Sequence, residues 1–283
     1  MGENPAGNGV TTGAIDIDAY FERIGYSGSR EPTAETLHAL HLAHVTTIPF
    51  ENLDILLGRP ILLDIPSLQA KLVGAKRGGY CHEQNMFFAA VLEALGFRVT
   101  RLAARVLVGA VQLRPRTHML LRVDIGEASW VADVGFGGEG LLKPIPLTAG
   151  WVVPQFAWTF RLLNDGNLWV LQARRDEEWH DLYQFTLEEQ HPVDYELATY
   201  FTSTHLASPW VRNLVVWLPN QRSRWVLRNR ELSEIGGQGT SRMVVDGDET
   251  LLTVLAERFN LQFPPETRFR LQDGSPIPAP AGD

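Results

Sequence analysis

Cysteine is almost absent from this chain, since Cys81 is the only one among 283 residues. A single cysteine excludes a disulfide bond within the chain, and unpaired thiols are typical of reducing compartments. We therefore expect a cytoplasmic protein.

Long apolar runs and an excess of basic residues are absent as well. No stretch is apolar enough to cross a bilayer, and Met1 to Gly13 lacks the basic start and apolar core of a secretion signal, which predicts a loose tail. The net charge of −8 argues against nucleic acid or an anionic membrane as the main partner. We expect a small-molecule substrate, and the sequence leaves open whether the chain forms a homo-oligomer.

Apolar residues, by contrast, make up 45% of the chain, enough to bury a substantial core in two or three subdomains. Helical patterning from Ile15 to Leu95, with a proline-containing extended stretch at Ile48 to Ile65, gives way after Phe97 to short runs typical of an antiparallel sheet or barrel. The predicted strands are Arg98 to Val108, Thr117 to Val123, Trp130 to Val134, Ala157 to Leu163 and Leu168 to Ala173.

The final third mixes helix and strand patterns. A connecting helix is predicted over Pro192 to Thr202, and further strands between Val211 and Phe263 end in a helix over Glu249 to Phe259. The proline-containing tail from Asp273 is expected to be disordered or to lie along the surface.

Cys81 lies at the start of a predicted helix, because apolar residues recur at helical spacing from Phe87 to Leu95. In a first helical turn, unpaired N–H groups and the helix dipole favour a thiolate over a thiol. Gly78 and Gly79 would permit a tight entry turn and the close approach of a substrate. Cys81 is therefore a candidate nucleophile; the alternative for a lone cysteine is a small, unreactive packing residue.

A base for this thiol, and a group to orient the base, come from a predicted hairpin. If the hairpin is centred between Ile125 and Gly126, His118 on the first strand faces Asp133 on the second. An aspartate in an apolar strand also needs a partner, because a buried, unpaired carboxylate is costly. The alternative is a histidine that ends a strand and an aspartate that caps the following glycine turn.

The remaining histidines offer no comparable arrangement. His38, His41 and His44 lie three apart on a predicted helix, but this spacing carries the side chains around the helix, so we expect no metal site. A packing or surface role is expected for the isolated histidines His180, His191 and His205.

Three motifs resemble those of the arylamine N-acetyltransferases. Arg77 to Asn85 is similar to the active-site signature of that family, Ile48 to Leu53 to a second N-terminal signature, and Ala132 to Gly138 to the segment that carries the catalytic aspartate. The motifs occur in the order and at the intervals of the family.

The resemblance implies an α+β, papain-like cysteine-triad fold with an N-terminal helical bundle, a central antiparallel β-barrel and a C-terminal α/β lid. The corresponding domains are expected at residues 1–96, 97–200 and 201–283.

The same resemblance implies a catalytic triad, with Cys81 as nucleophile, His118 as base and Asp133 as the group that orients the imidazole. It implies ping-pong transfer without a metal. Acetyl-CoA, the acyl-donor co-substrate, would acetylate the cysteine, and an arylamine, arylhydrazine or N-hydroxyarylamine would then accept the acetyl group. The backbone N–H of Cys81 and a strand amide near Thr117 are candidate oxyanion donors.

Candidate contacts with CoA come from two further segments. A glycine-rich loop that matches neither a Walker motif nor a dinucleotide fingerprint corresponds to the family segment along the CoA cleft, with its aromatic residue as a stacking wall. A later run resembles another family segment near the cofactor, although a helix end followed by a turn would give the same pattern. The candidate residues are Gly135, Phe136, Gly137 and Gly138 in the first segment and Thr204 and Ser208 in the second.

Two positions depart from the family pattern. His82 stands where an apolar residue is expected; we expect its side chain to be exposed at the helix start, and an influence on the thiolate is the alternative. Tyr80 replaces a common phenylalanine, and its hydroxyl must find a partner. A supporting shell of paired polar side chains is expected from Glu51, Arg77, Glu83 and Asn85.

Other functions stay open at this point. A related amide synthase would use the same triad to close a macrocyclic product without CoA, and a thiol hydrolase would pass the acyl group to water. A binding module on a degenerate hydrolase scaffold is disfavoured by the intact set Cys81, His118 and Asp133.

Overall fold

The computed structural model describes residues 15–237 and 239–279. The loose tail predicted for Met1 to Gly13 lies outside the described residues, as does Pro280 of the predicted C-terminal tail.

Helices dominate the first third of the chain, as predicted. The helices of the described residues are α1 (Ile17–Ile24), α2 (Ala34–Thr47), α3 (Leu53–Leu56), α4 (Ile65–Leu68), α5 (Cys81–Ala94), α6 (Pro192–Thr204) and α7 (Gly247–Phe259). A π-helical segment, Gln69–Gly74, continues α4, and a short 3₁₀ turn covers Pro209–Val211. Within the part of the chain that the structure describes, no helix is long and apolar enough to cross a membrane.

Strands fill the middle and the final third. They are β1 (Phe50–Glu51), β2 (Arg98–Val106), β3 (His118–Ile125), β4 (Ala128–Ala132), β5 (Ile145–Pro146), β6 (Val152–Gln155), β7 (Trp158–Asp165), β8 (Leu168–Arg175), β9 (Glu178–Phe185), β10 (Val215–Pro219), β11 (Ser223–Arg228), β12 (Glu231–Gly236) and β13 (Gly239–Val244).

These strands form two antiparallel sheets. An eight-stranded, nearly closed sheet has the order β5-β4-β3-β2-β9-β8-β7-β6, and a five-stranded sheet has the order β1-β10-β11-β12-β13. The larger sheet is the predicted barrel. The smaller sheet joins the C-terminal strands to β1, which comes from the helical third of the chain.

The predicted register of the β3–β4 hairpin is wrong by two residues. Ile125 pairs with Ala128, so the turn consists of Gly126 and Glu127, and Gly126 takes a left-handed φ of 59° at the first turn position. A tight hairpin requires that conformation, which glycine adopts readily. His118 is therefore not directly opposite Asp133; a slip of two residues nevertheless keeps both side chains on the same face.

One other segment differs from expectation, whereas the C-terminal tail follows one of its two expected courses. The stretch Ile48 to Ile65, expected to be extended, contains the single helical turn α3. In the C-terminal tail, Ile277 is only 5% exposed and packs into the core of the smaller sheet, so the described part of the tail lies against the body of the protein.

Three large apolar clusters hold these layers together. One lies between the helices and strands β3 and β4, one fills the barrel, and one lies between the smaller sheet and α7. Burial of each apolar side chain contributes roughly 1.5–3 kcal/mol, so these clusters fix α5 firmly against the barrel. The first residue of α5 consequently meets the first residue of β3.

Candidate active site

The nucleophile helix begins at Cys81, which is 4% exposed. The Glu83 carboxylate accepts a hydrogen bond from the Tyr80 backbone N–H at 3.1 Å, and Gln84 N–H donates to the Tyr80 carbonyl. A carboxylate that satisfies a free N–H in this way defines the helix start. The sulfur is thereby held at the positive end of α5.

Gly78 and Gly79 are needed for close packing within the chain. A Cβ on Gly78 would lie 2.1 Å from the Pro49 carbonyl oxygen, and one on Gly79 would lie 2.9 Å from the Glu83 side chain. The glycines thus let the entry turn lie against the strand that precedes α3. The close approach of a substrate to these glycines stays a prediction.

A buried network of charges supports this turn. Glu51 accepts two hydrogen bonds from the Arg77 guanidinium, at 2.6 and 2.9 Å. Lys71 lies 2.7 Å from both Glu83 and Asp54. Pairing of Glu51, Arg77 and Glu83 was expected from the sequence, whereas Lys71 and Asp54 were missed because no local pattern brings them to this site.

His118 and Asp133 meet as predicted. His118 Nε2 lies 2.7 Å from Asp133 Oδ2, and both side chains are at most 3% exposed. This bond leaves the other ring nitrogen, Nδ1, for the sulfur of Cys81, which lies 3.6 Å from the carbonyl oxygen of Thr117, the residue before His118. The three side chains are therefore brought together from α5, β3 and the segment after β4.

Asp133 is held by three further contacts. Its Oδ1 accepts hydrogen bonds from Asn85 Nδ2 at 2.9 Å and from the Gly135 N–H at 3.0 Å. Its own N–H donates to His41 Nε2 at 3.1 Å. Asn85 was expected to belong to the polar side chains around Cys81, and it supports the Asp133 carboxylate of the triad. Gly135 is needed here because a Cβ at this position would collide with both Asn85 and Cys81.

His41 is a supporting residue that the sequence reasoning missed. Its Nδ1 donates to the Leu142 carbonyl while its Nε2 accepts from Asp133, which requires a neutral ring. Burial lowers the pKa of His41 to about 4, in agreement with that tautomer. Among the described residues no cluster of three or more His, Cys, Asp or Glu side chains is arranged to hold a metal ion.

The charges of the triad are set by opposing effects of burial and pairing. Burial would raise the pKa of the Cys81 thiol, but the imidazoles of His82 and His118 lower it to about 6. Burial would likewise lower the pKa of His118, but the Asp133 carboxylate raises it to about 10. The arrangement therefore favours a thiolate paired with an imidazolium near neutral pH.

An aromatic wall stands beside the triad. The Phe136 ring lies 5.1 Å from both the His118 and Tyr183 rings, and Tyr183 lies 5.0 Å from His118. Phe136 was predicted as a wall, whereas Tyr183 was missed because β9 had not been recognised as a strand.

The loop after Asp133 is shaped by its glycines. Gly137 adopts a left-handed φ of 69°, and a Cβ there would lie 2.1 Å from the Trp217 ring. Arg224 of strand β11 donates to the carbonyls of Gly138 and Gly140, so these two hydrogen bonds attach the loop to the smaller sheet. Contact between Gly135, Phe136, Gly137 or Gly138 and CoA stays a prediction.

Thr204 and Ser208 lie at the end of α6 and just beyond it. The exposed Thr204 hydroxyl donates to the Tyr200 carbonyl. Ser208 is fully buried; its hydroxyl donates to the Thr202 carbonyl and accepts from the Trp210 N–H. Both hydroxyls thus have structural partners, and their contact with CoA stays a prediction.

The two departures from the family pattern are both buried. The Tyr80 hydroxyl finds a partner in Thr202 Oγ1 at 3.2 Å, as its burial requires. The exposure expected for His82 is wrong, because its side chain is fully buried and its Nδ1 lies 2.8 Å from Thr199 Oγ1. Helix α6 covers the position that the sequence assigned to solvent.

The candidate oxyanion donors are only partly located. The Thr117 carbonyl oxygen, rather than its amide, faces the sulfur of Cys81 at 3.6 Å. The Cys81 N–H remains available at the first position of α5, and the second donor stays a prediction.

Comparisons with known proteins show which proteins this chain is similar to. A family model described as N-acetyltransferase matches residues 33–268. An arylamine N-acetyltransferase of Escherichia coli is 47% identical over 66% of this chain and 67% of its own length, and one from Mycobacterium tuberculosis is 39% identical over 88% and 90%. An arylamine N-acetyltransferase / N-hydroxyarylamine O-acetyltransferase of Salmonella typhimurium is 43% identical over 66% and 67%.

Solved structures extend the similarity to the fold. The arylamine N-acetyltransferase of M. tuberculosis has a TM-score of 0.84 at 39% identity and covers 87% of this chain and 94% of its own. The Mycobacterium marinum enzyme in complex with CoA has a TM-score of 0.83 at 36% identity over 87% and 93%. The predicted α+β, papain-like fold is confirmed, and this chain belongs to the arylamine N-acetyltransferase family.

Proposed function

We propose that this protein transfers an acetyl group from acetyl-CoA to arylamines, arylhydrazines and N-hydroxyarylamines through an acetyl-Cys81 thioester. The observation that carries the proposal is the 2.7 Å contact between His118 and Asp133 beside a thiol at the start of α5. The names of the relatives and the CoA complex of the M. marinum enzyme support the choice of acceptor and donor.

The first half-reaction uses the resting ion pair. The Cys81 thiolate attacks the carbonyl carbon of acetyl-CoA, and the tetrahedral oxyanion is stabilised by the Cys81 N–H. The bond between that carbon and the CoA sulfur breaks, and the departing thiolate takes the proton of the His118 imidazolium. A thioester replaces a thioester, so this step is nearly balanced in free energy.

The second half-reaction restores the ion pair. The nitrogen of the arylamine attacks the thioester, and the now neutral His118 accepts the proton that the nitrogen loses. Cys81 leaves as a thiolate, which the regenerated imidazolium stabilises. Arylamines suit this step because their conjugate acids are weak, so the nitrogen is unprotonated near neutral pH, and amide formation makes the transfer favourable.

The aromatic wall supports the choice of a flat, aromatic acceptor. Phe136 and Tyr183 contact both the His118 ring and each other, so an aryl group stacked on Phe136 would bring its amine toward the imidazole. The loop Gly135 to Gly138, together with Thr204 and Ser208, is proposed to contact CoA. A cytoplasmic location and the division into domains 1–96, 97–200 and 201–283 are further parts of the proposal.

Intact-protein mass spectrometry tests this function. The purified protein is incubated with acetyl-CoA alone, and we expect a mass increase of one acetyl group, which disappears when an arylamine is added. The Cys81→Ser variant should show no increase while retaining its circular dichroism spectrum.

The same experiment separates the alternatives. An acetyl group that is lost to water as fast as to the amine would indicate a thiol hydrolase. A protein that acquires no acetyl group would contradict the proposal and favour an amide synthase that does not use CoA, and retained transfer by Cys81→Ser would contradict the role of the sulfur.

A further inference from the structure

His82 is a buried imidazole beside the nucleophile that the proposed reaction does not use. It directly follows Cys81 in the chain, and its side chain is fully buried. An apolar ring would fill the same space without the cost of burying polar atoms. The presence of an imidazole therefore calls for an explanation in terms of its two nitrogens.

Helix α6 supplies the partner of one nitrogen. Thr199 Oγ1 lies 2.8 Å from His82 Nδ1. Elsewhere on α6 the hydroxyls of Thr202, Ser203 and Thr204 donate to backbone carbonyls of their own helix. Thr199 forms no such bond among the described residues, so its hydroxyl is free to donate to Nδ1.

This donation fixes the position of the ring proton. An imidazole whose Nδ1 accepts a hydrogen bond carries its proton on Nε2. His82 Nε2 is buried and has no hydrogen-bond partner of normal geometry among the described residues. A buried N–H without an acceptor is unfavourable, so Nε2–H requires an acceptor among the groups beside the ring.

The groups around His82 leave one anion for this role. The rings of Tyr80 and Tyr195 lie 5.4 and 5.7 Å from the His82 ring, and burial raises the pKa of both phenols, so both stay neutral. Glu83, on the same helix, is paired with Lys71. The remaining anion is the thiolate of Cys81, the residue that precedes His82, and the His82 imidazole lowers the pKa of that thiol.

We propose that His82 is a second imidazole that stabilises the Cys81 thiolate, with its Nε2–H directed toward the sulfur by the Thr199 hydroxyl. The sulfur is then held between two rings, His118 from β3 and His82 from its own helix. His118 exchanges protons with the substrates, whereas His82 keeps its proton and lowers the free energy of the anion. Thr199 acts as a positioning residue. The inference rests on Cys81 being the nucleophile of the proposed function.

The titration of the thiol tests this role directly. The ultraviolet absorbance of the thiolate is followed against pH, with Cys81→Ser as the blank that removes the signal of the single thiol. His82→Phe keeps a ring of similar size and removes both nitrogens, and we expect it to raise the midpoint by about one pH unit. Thr199→Val should shift the midpoint in the same direction by less, because the imidazole is still present but no longer oriented.

Two further variants separate thiolate stabilisation from packing. His82→Gln restores an N–H donor and should recover part of the shift. Ser203→Ala removes a neighbouring hydroxyl of α6 that bonds only to a backbone carbonyl, and it should leave the midpoint unchanged.

A midpoint in His82→Phe and Thr199→Val equal to that of the parent, in proteins that keep the parent circular dichroism spectrum, would overturn the proposal. If His82→Phe does not fold, the Thr199→Val and His82→Gln titrations decide it. These titrations need no acetyl donor, so failure of the proposed transfer would appear in the mass spectra and leave this result unchanged.

Discussion

Three buried histidines near the nucleophile have different charge states, and the difference lies in their partners. Burial lowers the pKa of His41 to about 4 and that of His44 to about 3, because each ring bonds to neutral groups. His118 is equally buried, but the Asp133 carboxylate raises its pKa to about 10. Contact with a carboxylate thus decides which ring carries a second proton, and with it a positive charge, at neutral pH.

Sequence reasoning found His118 because its partner lies on the adjacent strand. It could not find the role of His41, whose bond to the Asp133 N–H joins residues 92 positions apart. It also assigned His82 to solvent, because the helix that covers it comes more than a hundred residues later in the chain.

The substitution Asp133→Asn tests the charge of the triad at the residue scale. Asparagine has the shape of aspartate but no negative charge, so the pKa of His118 should fall and that of Cys81 should rise. We expect the rate of acetylation by acetyl-CoA to fall by about 10³ to 10⁴-fold. Stopped-flow or quenched-flow measurement of acetyl-enzyme formation gives this rate.

A melting temperature close to that of the parent serves as the control for Asp133→Asn. Acetylation at the parent rate in a folded variant would show that the carboxylate charge is not needed.

At the scale of elements, the start of α5 is fixed by ion pairs from three other segments. Lys71, on the π-helical segment, lies 2.7 Å from Glu83 of α5 and from Asp54 of α3. The wider π-helical turn shifts the register of the side chains that follow it, and such turns are often found at functional sites. The sequence predicted helix α5 and its first residue, Cys81. It could not predict the π-helical turn, because no pattern of residues distinguishes such a turn from an α-helix.

The substitution Lys71→Met tests this support. Methionine keeps the length of the side chain but leaves the Glu83 carboxylate buried without its cation. Removing one partner of a buried ion pair costs about 3–5 kcal/mol, and we expect the free energy of unfolding to fall by that amount. Urea denaturation followed by circular dichroism measures the change.

Lys76→Met is the matched control, since Lys76 lies two residues beyond the π-helical segment and is exposed. A loss of stability as large in this control as in Lys71→Met would refute the assignment of the effect to the buried network.

At the scale of the whole molecule, strand β1 joins the helical region to the C-terminal sheet. Phe50 and Glu51 pair with Trp217 and Val216 of β10. The side-chain amide of the next residue, Asn52, donates from Nδ2 to the carbonyls of Trp210 and Asn213, and its Oδ1 accepts from the Val215 N–H. Sequence patterns distinguished the helical region from the regions of strands. They could not show that β1 belongs to the C-terminal sheet, because a strand of two residues is too short to show an alternation of apolar and polar side chains.

The substitution Asn52→Ala tests this connection. It would leave three backbone groups of the C-terminal region without partners, and we expect local opening to become easier by about 2–3 kcal/mol. Amide hydrogen exchange in β10 should therefore accelerate by roughly 30- to 160-fold. Mass spectrometry of deuterated peptides measures this rate.

Asn164→Ala, in the exposed β7–β8 hairpin of the barrel, provides the comparison. Unchanged exchange in β10 of Asn52→Ala would mean that the apolar core alone holds the C-terminal sheet in place.

The proposed function requires that the resting protein hold Cys81 as a thiolate, paired with the His118 imidazolium. The most direct test is the rate of Cys81 alkylation by iodoacetamide as a function of pH. Because the pKa of Cys81 is lowered from 9.0 to about 6, the rate should rise through a midpoint near 6 and stay level until His118 loses its proton near pH 10. A single midpoint near 9, the pKa of an ordinary thiol, would show that Cys81 does not rest as a thiolate paired with the His118 imidazolium.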